Sequence, residues 1–261
     1  MQNSYALYGS ISYNIDDITT LKLMAKNKVK QVFLWWGQDD KKNLEKVKLC
    51  KTLGLEIQTA HFDFDKINSM WIDSKEGDSL VKTFCKQLKQ IKKHNINIAV
   101  LHVTKSKNPP PISDIAIKRY KTLVAQAEKL GIIIALENTR MPQYFDYIFD
   151  NISSDNLKIC YDSGHDHAFT QDTFDFDKYK GKIVCLHIHD NNGQKDQHLL
   201  PFDGNINWDN LLGKLKAAEY QGPITLEVVM GDDMYDDMSA QEFILTAVQR
   251  AKQLAKTFNN L

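Results

Sequence analysis

The sequence predicts an α/β protein, a single (β/α)8 TIM barrel, and three observations predict it. Short apolar, β-rich runs recur eight times along the 261 residues. Each is followed by a longer amphipathic stretch, and no Ser/Pro-rich linker interrupts the series. Runs that are apolar throughout suit parallel strands covered by helices on one side and filling a barrel on the other. An open, doubly wound sheet would want a glycine-rich loop after the first strand, but GSISYN at 9–14 has one glycine. Residues 1–261 are therefore read as one barrel domain.

The strands are expected at 5–10, 29–35, 55–60, 96–102, 132–137, 157–161, 183–187 and 223–228. Helices are expected at 16–28, where Ile18, Leu21 and Met24 keep helical spacing, at 41–52 before Gly54, at 79–93, and at 113–130 between Ser113 and Gly131. Further helices are expected at 142–151, 175–179, 209–218 and 239–257, the 175–179 one being short. The stretch 62–78 is the longest connection outside regular structure, a lid or a piece of pocket wall.

Composition narrows the classes. Hydrophobic residues at 43% allow a large core. Lys+Arg and Asp+Glu balance at 33 each, so no whole-chain field recommends nucleic acid or an acidic membrane as a partner. Cys50, Cys85, Cys160 and Cys185 form no C-x-x-C pair and imply no disulfide framework. The start of the chain lacks the pattern of a signal peptide, and no apolar run approaches the ~20 residues of a membrane span. A cytoplasmic location is the expectation.

In this fold the C-terminal strand ends form the active face, and there ionisable residues accumulate. The third strand ends in His61, the fourth in His102, the fifth in Glu137 with Arg140 beyond it. The sixth ends in Asp162 and His165. The seventh carries His187, His189 and Asp190, followed by Asp196 and His198, and the eighth carries Glu227. A ring of carboxylates and imidazoles needs a cation among them, and a divalent metal supplies it. Imidazole and carboxylate donors suit Zn2+, Mn2+ or Co2+, with Mg2+ as a further choice. A lone histidine at a strand end is more often a hydrogen-bonded core residue than a ligand. A glutamate within an apolar strand is harder to explain blandly, which puts Glu137 and Glu227 first. His94 reads as a surface residue at a helix end, and 231–237 as a solvated loop.

The motifs HFDFDKINSMW, ALENTR, YDSGH, LHIHDNNGQKDQHLLPFDGNINW and ITLEV, in this order, resemble the xylose isomerase-like barrel superfamily. That superfamily joins sugar-phosphate isomerases and epimerases with endonuclease IV (AP endonuclease family 2). The resemblance implies a metal core of Glu137, Asp162, His187 and Glu227, with Asp190 downstream of His187. It implies His61, His102, His165, Asp196 and His198 as an outer ligand set, which would allow one to three ions.

Two activities follow. The first is a metal-dependent isomerase or epimerase of a small sugar or sugar phosphate. It would work through a metal-stabilised enediolate with Glu137 and Glu227 as acid and base, and with Arg140, His165, His189, Phe62, Trp36 and Trp71 about the substrate. The alternative is a multi-zinc phosphodiesterase resembling endonuclease IV. The full ligand set favours it. The loop between His187 and Asp196, with Lys195 as its one cation, disfavours it, since DNA binding needs several basic contacts. A homo-oligomer is compatible with either.

Overall fold

The structure is a computed structural model that describes residues 4–12 and 14–261. Its strands are β1 (Tyr5–Tyr8), β2 (Gln31–Trp36), β3 (Glu56–Phe62), β4 (Ile98–His102), β5 (Ile133–Glu137), β6 (Leu157–Asp162), β7 (Ile183–His187) and β8 (Ile224–Leu226). They form one parallel sheet in sequential order, with β1 paired to both β2 and β8. A parallel bridge from Ile188 to Leu226 joins the two ends of that sheet and closes the barrel. Every strand lies within two residues of its predicted bounds.

The outer helices are α1 (Asp17–Lys26), α2 (Asp40–Leu53), α3 (Lys75–Lys93), α4 (Asp114–Leu130), α5 (Pro142–Asn151), α6 (Ser163–His165), α7 (Trp208–Ala217) and α8 (Ala240–Asn260). Their ends follow local chemistry. The Asp16 and Asp39 side chains cap α1 and α2, and Ser239 with Glu242 forms a capping box on α8. None of the described helices is long and apolar enough to cross a membrane.

One predicted helix is absent. Residues 175–179 form turns, and the chain after β6 instead runs through α6 into a π-helical turn, Asp166–Thr170. Two aspartates account for this. Asp162 accepts from the backbone N–H of His165 at 2.6 Å. The buried Asp166 accepts from the Thr170 hydroxyl at 2.6 Å, the Phe174 N–H at 3.1 Å and the Tyr161 hydroxyl at 2.8 Å. Phe174, Phe176 and Tyr179 then pack as one aromatic group against Tyr161 and Phe145, which suits the turns of this stretch better than a helix would.

The 62–78 connection is more regular than its sequence implied. It holds a buried 3-10 helix, Ile67–Trp71, and the first turn of α3. Arg119 of α4 organises it from beneath, donating to the carbonyls of Ser69, Met70, Ile72 and Ser74 and to the Asp78 carboxylate.

The registers set the site. Parallel pairing places His102 beside Glu137 and Asp162 beside His187 at the same end of the barrel. Two residues below each lie Val100, Ala135, Cys160 and Cys185, a cluster of buried side chains separate from the larger core. Side chains two apart along a strand share a face, so this layer is the floor directly under the ionisable ring.

Arg119→Met is expected to cost about 2–4 kcal/mol of stability, because it leaves two buried and two part-buried carbonyls and a packed segment without their donor. Urea unfolding measures it; a loss under ~1 kcal/mol would mean that other contacts hold the segment.

Candidate active site

At the centre of the site stands Glu137, buried at 1% exposure. Four imidazoles surround its carboxylate. His61 Nε2 lies 3.0 Å away, His102 Nε2 3.3 Å, His165 Nδ1 3.1 Å and His187 Nδ1 3.1 Å. His187 also lies 3.3 Å from Glu227. Both ring nitrogens of His187 are buried, and neither makes an aligned hydrogen bond. The short spacings around it therefore mark donor atoms converging on a common point rather than a finished hydrogen-bond network.

A second cluster adjoins the first. His189 Nε2 lies 3.1 Å from Asp162, and the His189 ring stacks on His198 at 4.0 Å between centroids. Asp196 lies 3.3 Å from His165 and 3.6 Å from both His189 and His198. The buried Asp196 Oδ1 and His189 Nδ1 also lack hydrogen-bond partners.

Three sets of side chains can bring ligand atoms within 4.8 Å of one another: Glu137, Asp162, His187 and Glu227; His61, Glu137 and His187; and His189, Asp196 and His198. Orphaned nitrogens facing carboxylates, in an imidazole and carboxylate donor set, fit divalent cations.

Asp190 plays a different part. Fully buried, it accepts from the N–H groups of Asn191, Phe202 and Ile206 and from the Trp208 indole. This folds 190–208 into the loop that presents Asp196 and His198. Gly204 is required there, since a Cβ would come within 2.3 Å of Asp190 Oδ1 and the Asn191 carbonyl.

Electrostatics follow from this crowding. Burial opposes ionisation of Glu137, but the imidazoles of His102 and His187 outweigh it and hold its pKa well below the ordinary value. Burial likewise opposes Asp162 and Asp196, and neighbouring histidines, His165 foremost, pull both down. Burial works against the charged form of His187, yet Glu227 and Glu137 raise its pKa to about 10. His198 rises to about 9 against the same penalty, through Asp196. His102 moves the other way: burial outweighs Glu137 and lowers its pKa.

Above these groups opens a cavity of about 820 Å3. His61, His102, Glu137, His165, Asp196, His198 and Glu227 line it; Asp162 and His187 lie buried in the barrel mouth below. All nine residues named as ligands are thus brought together. Arg140 lines the wall as expected. His189 is fully buried within the second cluster instead of lining the cavity.

The aromatic wall needs correction. Trp36, Phe62 and Trp71 are core residues. Trp36 bonds to Gln90, Phe62 packs on Phe84, and Trp71 donates to the Val103 carbonyl. The rings that line the cavity are Tyr8, Trp35, Phe64 and Phe169. Trp35 stacks on His61 at 5.0 Å and Phe64 on His102 at 3.8 Å. Strand alternation carried the missing signal: Trp35 is in register with the inward His61, and Trp36 with the outward Phe62.

Residues 23–255 match the model of a family described as xylose isomerase-like TIM barrel. An inosose isomerase of Halalkalibacterium halodurans is 29% identical over 135 residues, 46% of this chain and 47% of that protein. The chain spans about half the length, or less, of the curated relatives it matches. Among solved structures, a D-tagatose 3-epimerase-like protein superposes with a TM-score of 0.75 at 23% identity, over 98% of this chain and 97% of that one. The protein IolI, solved with a zinc atom bound, superposes with a TM-score of 0.76 at 18% identity, over 98% and 99%. At such identities the likeness of the structures is one of fold.

Chelator-treated protein should lose stability as pH rises. His187 and His198 have folded pKa values of about 10 and about 9, above the roughly 6.5 of an unfolded histidine. Their contribution is therefore complete below about pH 6.5 and is lost on the way up to the folded values. Thermal melts from pH 6 to pH 10 check this; a flat or rising profile would contradict the charge assignment.

Proposed function

The chain belongs to the xylose isomerase-like TIM barrel family, and from that premise we propose that it is a divalent-metal-dependent isomerase or epimerase of a small sugar or related polyol, with Glu137 and Glu227 as its proton-transferring pair. The observation that carries this reading is the cavity floor. There Glu137, Asp162, His187 and Glu227 bring ligand atoms within 4.8 Å of one another under an aromatic wall. The inosose isomerase relationship and the epimerase-like fold support the reaction class, and the zinc in IolI supports the choice of a divalent metal.

The core four residues would hold the ion, which when bound supplies a Lewis acid that polarises a carbonyl and its neighbouring hydroxyl and so acidifies the C–H between them. The chain's own groups do the rest. Glu227, whose side chain is 13% exposed, reaches the cavity and takes the proton from carbon. Glu137 faces it across His187; held ionised by its imidazoles, it would take a proton from His165, 3.1 Å away, and pass that proton to the neighbouring centre or to the opposite face. His61 and His102 keep the Glu137 carboxylate oriented. Trp35 and Phe64 cover the C–H face of the sugar and exclude water.

Glu227→Gln and Glu137→Gln should each slow solvent-deuterium incorporation into ketoses or inososes by about 10^2-fold or more. The double variant should also hold less metal than wild type, as elemental analysis would detect. Wild-type metal content in the double variant would remove the core assignment.

A second reading, a multi-zinc phosphodiesterase resembling endonuclease IV, is favoured by one observation: His61, His102, His165, Asp196 and His198 all border the same cavity. The Lys and Arg side chains among the described cavity residues are Lys105 and Arg140, and Lys105 already meets Asp65 at 2.5 Å. This is a sparse complement for a nucleic-acid backbone, which takes several basic contacts, so the isomerase ranks first. Abasic-site DNA should stay intact with catalytic amounts of metal-loaded protein; metal-dependent nicking would reverse the order.

A further inference from the structure

The mouth of the cavity is electrically lopsided. On the β1 side its acidic residues are committed: Asp16 caps α1 at 2.9 Å from the Thr19 N–H, and Asp17 pairs with Lys46 at 3.0 Å. On the β4–β5 side Lys105 is committed to Asp65. Arg140 forms no ion pair with a carboxylate among the described residues, although the charge of Asp196 in the same cavity acts on it. Its guanidinium carbon lies over the Phe169 ring, 3.4 Å from the centroid, and no hydrogen bond from it is formed among the described residues.

Three features make this a built position. Phe169 stacks in turn on His165 at 5.3 Å, so the arginine is tied by a ladder of rings to a side chain beside Glu137. The ring holds the guanidinium in place while its N–H groups meet no described protein acceptor, the arrangement that suits a planar or tetrahedral oxyanion. Next to it the buried hydroxyls of Thr104 and Thr139 lie 3.4 Å apart on the same wall, and α5 begins at Pro142 with no side chain capping its positive end.

We propose that this wall is an oxyanion subsite, formed by Arg140 with Thr104 and Thr139, and that the natural substrate is therefore an anionic sugar or polyol derivative. It would carry a phosphate ester or a carboxylate at the end remote from the reacting carbon. The assignment of the reacting end rests on the isomerase reading above; the subsite itself does not.

Calorimetric titration of the metal-loaded protein with inorganic phosphate and with gluconate tests the subsite directly. Wild type should bind at least one of them, Arg140→Gln should weaken that binding about tenfold or more, and Arg140→Lys should restore part of it. Preference for phosphate identifies an ester, and preference for gluconate a carboxylate. Arg140→Gln binding both within twofold of wild type, with an unchanged melting temperature, would overturn the proposal. Deuterium incorporation separates it from the reaction class. With phosphorylated or acidic substrates, Arg140→Gln should raise KM about tenfold and leave kcat within a few-fold. If wild type prefers neutral ketoses and Arg140→Gln matches it, the subsite fails and the isomerase stands. If nothing incorporates deuterium, the isomerase reading fails while the phosphate and gluconate titrations still decide the subsite.

Discussion

One buried carboxylate, that of Glu137, within reach of four imidazoles, is the constraint on which the upper half of this barrel depends. A carboxylate at 1% exposure is tolerated only if charge and hydrogen-bond donors surround it on every side. No single loop could supply four. The barrel does, because successive parallel strands end at one level and because the registers bring His102 beside Glu137 and Asp162 beside His187. Beneath them Val100, Ala135, Cys160 and Cys185 are small enough to leave the mouth of the barrel open for the ring above. Larger side chains in that layer would lift the donors away from the carboxylate.

The cluster's carboxylates hold protons on neighbouring imidazoles, and a divalent ion would compete with those protons. His187 and His198 reach pKa values of about 10 and about 9 because Glu227, Glu137 and Asp196 have no better counter-charge. The same groups as ligands must be neutral imidazoles and ionised carboxylates. The depressed carboxylates are already in the required state, so only the histidines need give up protons.

Much of this was legible in the sequence, and the failures have physical causes. The eight strands and six of the nine ionisable residues, His61, His102, Glu137, Asp162, His187 and Glu227, could be read because they stand at the ends of short apolar runs; His165 follows in α6, and Asp196 and His198 lie on a loop that only the motif pointed to. The ring facing the cavity could not be read from residue type alone: Trp35 and Trp36 are the same amino acid, and only their phase relative to His61 separates them. Arg119 was invisible because its partners are backbone carbonyls, which no side-chain pattern reveals. The absent helix at 175–179 failed for a related reason. Its aromatic spacing suits a helix, but two buried aspartates upstream turn the chain first.

The Y-D-S-G-H and H-I-H-D motifs look independent in the sequence and are one structural unit. A Cβ at Gly164 would fall 1.8 Å from His189 Cε1, so the glycine exists to admit the histidine of the next strand. The Ser163 hydroxyl donates to the His189 carbonyl at 2.8 Å and lies 3.1 Å from the His189 N–H, accepting from it. The Asn191 side chain donates to the Gly164 carbonyl at 2.9 Å. His189 so pinned sets the stack on His198 and the approach to Asp162, and Asp190 beside it folds the loop bearing Asp196. The second cluster therefore inherits its geometry from packing between β6 and β7. Two of its three donors sit on a loop, and that loop is folded by the buried Asp190.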